Sequence, residues 1–333
     1  MNVLLATTWD TACGIAEHSA YLKAAVEAAD HGIAIHPTPE ALDPAAADPY
    51  RHGWDLLHLN YHRALHSRWT PEKVRQVAKH RKVVITFHDT FGEHPPDDLS
   101  RELCDAADAF IVHEPCEGLP NAIYWRMGVP PPRSPMQFTF HGSHPPDPYW
   151  RTLRWCFKGW DAQPVLGTVG FAFPWKNYER LCDLTREVGW ALLLIAPGAT
   201  TEQVVDWQSR HPDLWVIPEF TPRDQVVELL AGCDATAFCY TCANSGQSGA
   251  VLQGIAARKP VFAFETCRQF RALFADPIAN KYVRWCRTFE EFQQRLSNTI
   301  LGRVDAGMVA LAQQDSWTKL GANYAQLYRR LLA

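Results

Sequence analysis

Residues 235–264 read ATAFCYTCANSGQSGAVLQGIAARKPVFAF. Two short apolar runs, 235–240 and 260–264, flank a turn of small residues and a helix-forming segment. Runs of this length bounded by Gly, Ser and Pro suit the inner strands of a parallel sheet, which are buried on both faces. The turn, Asn244 to Gly249, holds no large side chain except Gln247. Glycine lets backbone approach a ligand, and a helix N-terminus presents unpaired N–H groups and a partial positive charge. A strand, turn and helix in this order suit a diphosphate. The same residues also serve as a tight connection that binds nothing.

The pattern recurs on both sides of this stretch. Before it, strands are expected at 165–171, 191–196 and 214–218, with helices at 178–188, 201–208 and 223–231. Earlier still, strands at 3–6, 32–36, 55–60, 82–87 and 109–113 alternate with helices beginning at Ile15, Pro71 and Leu99. After it come a strand at 282–285 and helices at 289–300 and 317–332. Such alternation predicts doubly wound parallel sheets with helices on both faces. Residues 114–163 lose the pattern, and PPPRSP and HPPDP within them are stiff turns suited to a connection. The expected architecture is α/β: two Rossmann-like domains, 1–158 and 159–314, with ligands beyond the carboxyl ends of the strands.

Bulk properties agree with two domains, because 333 residues exceed what a single core usually spans. A net charge of −4 excludes a globally basic nucleic-acid binder but leaves room for a local patch. The start, MNVLLATT, lacks the basic and apolar regions of a signal peptide, so a soluble cytoplasmic protein is expected. Ten cysteines in a chain this long make no disulfide framework. Only Cys239 and Cys242 have CxxC spacing, no second pair completes a zinc site, and no metal is expected.

Several segments together resemble the retaining glycosyltransferases of family 4, whose fold is GT-B. Gly14-Ile15-Ala16 opens the first long helix as the glycine loop of that family does. VITFHDT places His88 where the family has a histidine near the donor sugar, and FTFHG, with His141, resembles its segment near the linker. VGFAFPWKNYERL is similar to the opening of the C-terminal domain, with Lys176 at the phosphate-contacting lysine. VIPEFTPRDQVVELLAGCDATAF resembles the segment around the nucleotide base, and SGAVLQGIAARKPVFAF the helix and strand carrying a Glu-x7-Glu motif. SWTKLGANYAQLYRRLL is similar to the C-terminal helix that crosses back onto the first domain, here 315–333. The resemblance implies a metal-independent, retaining transfer from a UDP- or GDP-sugar with no bound cofactor.

The motif itself departs from the family. Gln253 stands at the second glutamate and Ser245 at the first, and no carboxylate lies between Thr241 and Gln253. An amide still donates to and accepts from a ribose hydroxyl; a serine supplies no charge near the sugar. The family's arginine shortly before the lysine is also absent, since 170–175 reads GFAFPW.

Sugar transfer from a nucleotide requires stabilising negative charge on the leaving diphosphate and holding the acceptor in line. Lys176 with Gly246, Gln247, Ser248 and Gly249 is the expected diphosphate site; otherwise Lys176 is a solvated loop residue. His88 reads as a contact to the reacting centre or as a satisfied structural group. Asp89 reads as a sugar or acceptor ligand or as a helix cap, Glu219 as a nucleotide contact or a surface carboxylate, and His141 as seam or turn. Residues 62–82, HRALHSRWTPEKVRQVAKHRK, carry seven Lys/Arg against Glu72, with Trp69 among them. Arg63 and Arg68 in that stretch are acceptor-side candidates for an anionic partner, a membrane-surface glycolipid or nucleic acid; the plainer reading is a solvated helix face. Two rivals remain: a degenerate nucleotide-sugar-binding protein without turnover, and a sugar-nucleotide epimerase or hydrolase. A dinucleotide oxidoreductase is rejected, because TTWDTACGIAEH has one Gly where GxGxxG is needed.

Overall fold

The computed structural model describes residues 1–11, 13–47, 53–88, 97–114, 116, 118–131, 163–241, 248–299 and 304–333. Twelve strands appear among them. They are β1 Asn2–Ala6, β2 Ala34–Pro37, β3 Leu56–Tyr61, β4 Lys82–Phe87, β5 Ala109–Val112 and β6 Ile123–Tyr124, then β7 Val165–Val169, β8 Ala191–Ile195, β9 Leu214–Ile217, β10 Ala235–Phe238, β11 Val261–Phe264 and β12 Arg284–Cys286. They form two six-stranded sheets, β2-β1-β3-β4-β5-β6 and β12-β11-β10-β7-β8-β9, parallel throughout. β3, β5, β7, β8, β9, β10 and β11 are buried along their whole length, as continuous apolar runs demand. Strand order reverses between β1 and β3 in the first sheet and between β7 and β10 in the second. Those switch points are where open parallel sheets hold ligands.

Local chemistry sets the helix starts. Thr70 accepts a hydrogen bond from the Lys73 N–H, and Pro71 occupies the first position of the helix Pro71–Ala78. Thr200 and Gln203 make a reciprocal capping box on the helix Thr201–Arg210. The helix Pro71–Ala78 buries Pro71, Val74 and Val77 only, a narrow apolar stripe.

The C-terminal helix, Trp317–Leu332, lies on the first sheet against the helix Gly14–Ala29. Its Tyr328 hydroxyl is 2.6 Å from His58 Nδ1, and its Tyr324 hydroxyl is 2.8 Å from Thr86, which in turn meets His58 Nε2. Gly321 makes the close approach possible: a Cβ there would sit 2.5 Å from the backbone carbonyl of Ala25. Gly321→Ala is expected to lower stability by about 1–3 kcal/mol through overpacking, although helix propensity alone favours alanine by about 1 kcal/mol. A urea midpoint that stays level or rises would show that the two helices separate without strain.

Polar contacts join the halves, and Met127 and Val129 pack into the core of the second. Arg126, beyond β6, reaches Asp315 at 2.8 Å and Asp276 at 3.1 Å. Tyr21 donates to Asp224 at 2.8 Å, and Arg223 pairs with Glu17 at 2.9 Å. The expected boundary at 158/159 lies outside the described residues. Among the elements that went unseen in the sequence are β6 and the helices Arg271–Phe274, Pro277–Tyr282 and Ala306–Gln314. Tyr282 therefore ends a helix instead of opening a strand. The signal was present in Asp276, which caps that helix by accepting from the Ile278 and Ala279 N–H groups ahead of Pro277.

Candidate active site

At the switch point of the second sheet, β7 is followed by Gly170, whose φ of +149° favours glycine. Space requires glycine as well, since a Cβ there would lie 3.0 Å from the Tyr240 hydroxyl and 3.1 Å from Lys176 Nζ. The Tyr240 hydroxyl donates to the Val169 carbonyl at 2.8 Å, and the Tyr178 hydroxyl to the Gly170 carbonyl at 2.8 Å. Lys176 ends the short turn Pro174–Lys176 and is buried. Its ammonium lies 3.2 Å from the Tyr240 ring centroid and 4.3 Å from that of Trp175. Asn177, in the left-handed conformation, fastens this loop to the end of β10 by donating to the Cys239 carbonyl at 2.7 Å and Thr241 Oγ1 at 3.1 Å.

Lys176 lines a cleft of about 250 Å³ with Ser248, Gly249 and Gln253 on one side and Gly14 and Glu17 of the first domain on the other. Ser248 stands at the N-cap of the helix Gly249–Ala256 but makes no side-chain capping bond, so its hydroxyl does not occupy the first-turn N–H groups. Gln253 is buried and also lines the cleft. Arg223 adds a second cation to the same cleft, its guanidinium 3.7 Å from where a Cβ of Gly249 would stand. Burial raises the pKa of its partner Glu17, against the lowering influence of Arg223. Phe171, Phe173 and Phe220 also line the cleft and keep 39%, 50% and 36% of their surface exposed.

A second assembly occupies the carboxyl edge of the first sheet. Register pairs Phe87 with Val112, so His88 and His113, the next residue of each strand, emerge side by side. His18, from the helix Gly14–Ala29, meets both: its ring centroid is 4.5 Å from that of His88 and 5.4 Å from that of His113. His88 Nε2 donates to Asn60 Oδ1, whose Nδ2 donates to Ser19 Oγ at 2.7 Å. His113 Nδ1 donates to the Trp125 carbonyl at 2.8 Å. Burial lowers all three histidine pKa values, His113 to about 4 and the other two well below the usual range. All three are neutral at pH 7.

Three comparisons with known proteins bear on this arrangement. No family model and no curated protein matches the chain. Solved structures do. Anabaena Alr3699/HepE in complex with UDP superposes with a TM-score of 0.66 at 16% identity, covering 99% of this chain and 100% of that one. AviGT4, a glycosyltransferase involved in avilamycin A biosynthesis, gives 0.59 at 14%, covering 99% and 97%. A UDP-forming α,α-trehalose-phosphate synthase from Burkholderia xenovorans, bound to glucose-6-phosphate, gives 0.57 at 10%, covering 85% and 75%. The fold is GT-B.

In this GT-B frame the expected residues divide. Gly14, Lys176, Ser248, Gly249 and Gln253 come together in one cleft. His88 does not line it and belongs to the histidine cluster. Glu219 is exposed and stands apart from the lining, to which its neighbours Phe220 and Thr221 contribute. Asp89, His141, Ser245, Gly246 and Gln247 lie outside the described residues. In the basic stretch, Arg63 is held by Asp97 at 2.8 Å and Arg68 by Asp43. Trp69 is core, donating to the Ala41 carbonyl at 2.9 Å, and offers no face for stacking. Arg223, Glu17 and Tyr240 went unnoticed in the sequence, because nothing local marks which helix start or strand end reaches the cleft. Cys239 is a buried thiol, raised well above its ordinary pKa by burial, an inert core residue as expected. Among the described residues no helix is long and apolar enough to cross a membrane.

Proposed function

We propose that the chain transfers a sugar from a UDP- or GDP-sugar to an acceptor hydroxyl, with retention of configuration. The observation that carries this reading is the convergence of Lys176, Arg223 and the N-terminus of the helix Gly249–Ala256 on one cleft at the switch point of the second sheet. Two cations and an uncapped helix end supply the charge that a diphosphate needs, so no metal is required there. The exposed faces of Phe171, Phe173 and Phe220 offer apolar cover for a base or sugar ring. UDP in the complex of a similar GT-B structure supports the donor class. The chain is divided as 1–158, 159–314 and 315–333, the donor lying against the second domain and the acceptor against the first, in the cytoplasm. For an anionic acceptor the exposed Lys73, Arg75 and Lys79 are the available cations, because Arg63 and Arg68 are matched by acids.

One observation favours a second reading, a nucleotide-sugar-binding protein without turnover. The only carboxylate among the described lining residues is Glu17, already paired with Arg223. Thermal denaturation against UDP-, GDP-, ADP-, CMP- and dTDP-sugars addresses binding first. Ligand at about 100 times its Kd adds roughly 2.7 kcal/mol, a shift of several degrees. A shift with one base class supports either reading; flat curves throughout overturn both. Incubation of the bound sugar nucleotide with candidate acceptors then separates them, by free nucleotide and a glycosylated product or by neither.

A further inference from the structure

We propose that His18, His88 and His113 form a site for a single divalent transition-metal ion of the zinc type. Each offers a ring nitrogen, and the three nitrogens lie within 4.8 Å of one another. Zinc–nitrogen bonds of about 2.0–2.1 Å in tetrahedral geometry place ligand atoms roughly 3.4 Å apart, so each imidazole needs to move by only about 1 Å.

The surrounding hydrogen bonds already set two of the three rings. His113 gives its Nδ1 proton to the Trp125 carbonyl, which leaves the lone pair on Nε2, an atom that is buried and has no partner among the described residues. His88 gives its Nε2 proton to Asn60, which leaves Nδ1 with the lone pair. A histidine that donates one N–H to a carbonyl or amide oxygen and keeps the other nitrogen for an ion is the usual outer arrangement of a metal site. His18 Nε2 is likewise buried without a partner. Coordination there puts the His18 proton on Nδ1, and the long 3.4 Å contact from Asn60 Nδ2 gives way. Buried polar atoms without partners are costly, and the ion would satisfy two of them at once.

The donor set selects the metal. Three neutral imidazoles without a carboxylate suit zinc, cobalt, nickel or copper and not magnesium or calcium. Three protein ligands leave a fourth tetrahedral position, and His88 is the member of the cluster with intermediate burial. The site joins a helix and two strand ends of the first domain, and it does not rest on the donor reading.

Tag-free protein, stripped with chelator and titrated with Co2+, is expected to bind one ion per chain with the visible absorption of four-coordinate cobalt, displaced by Zn2+. His18→Phe and His113→Phe should each abolish that absorption, with far-UV circular dichroism confirming that the metal-free variants are folded. X-ray absorption at the zinc edge of the wild-type protein needs no variant and should show three imidazole nitrogens at about 2.0–2.1 Å. Wild-type protein that binds no more cobalt than either variant overturns the site, as does a zinc shell with fewer than three imidazoles.

Discussion

Replacing Lys176 with methionine is expected to weaken binding of nucleoside diphosphates by roughly 30- to 1,000-fold, a loss of about 2–4 kcal/mol. Methionine keeps an unbranched stem against Trp175 and Tyr240, so the comparison isolates the charge. Lys176 is buried, yet its ammonium rests on aromatic faces, which attract a cation without cancelling its charge. A diphosphate arriving at the neighbouring helix end therefore meets a partly desolvated cation, where each contact is stronger than in water. Arg223 cannot replace it at no cost, because that guanidinium is engaged by Glu17. Isothermal titration with UDP and GDP reads the effect directly. A Kd unchanged in the methionine variant would remove Lys176 from the diphosphate site and, with it, the main support for the donor assignment.

How far the sequence led can be judged from the same residues. The places of Lys176 and Gln253 in the cleft were legible because strand, loop and helix follow one another in the chain, and burial in a parallel sheet forces near-continuous apolar runs. The C-terminal helix was legible from Trp317 to Leu332 because its apolar spacing is regular and Ser316 caps it. The histidine cluster was not. His18, His88 and His113 come from three elements, and their meeting depends on the register of β4 against β5 and on where the first helix lies across the sheet. The one hint was that two neighbouring strands both run straight into a histidine. Charge counting in the basic stretch saw only part of the environment: seven cations against one acid within 62–82 took no account of Asp43 and Asp97, which arrive from other segments to meet Arg68 and Arg63.

Mild acid is expected to destabilise the protein steeply, His58, His66 and Asp315 together removing roughly 3 kcal/mol between pH 6.5 and pH 5. His58 and His66 are buried and neutral, with pKa values pulled by burial to about 3 and about 4 from an ordinary 6.5. Below pH 6.5 the unfolded chain takes up protons at both residues while the native chain does not. The stabilisation is therefore complete above pH 6.5 and shrinks as pH falls, by about 1.4 kcal/mol per histidine per pH unit, until each native pKa is reached. Asp315, pushed up to about 6 by burial, works in the opposite direction between pH 6 and 3.8 and offsets about 1 kcal/mol of the roughly 4 lost. His18, His88 and His113, all lowered by burial, add to that loss when no ion is bound. Carboxylates held below their ordinary range, such as Asp30 at about 2, act only below pH 3.8 and leave this window untouched. Urea unfolding at pH 7.5, 6.0 and 5.0 should show the midpoint falling in step, and His66→Gln should reduce the slope by about one proton. A midpoint that stays level to pH 5 would mean that these imidazoles protonate freely in the native state, and that the buried hydrogen bonds joining His58 to Tyr328 and Thr86 do not hold the C-terminal helix on the first sheet as described.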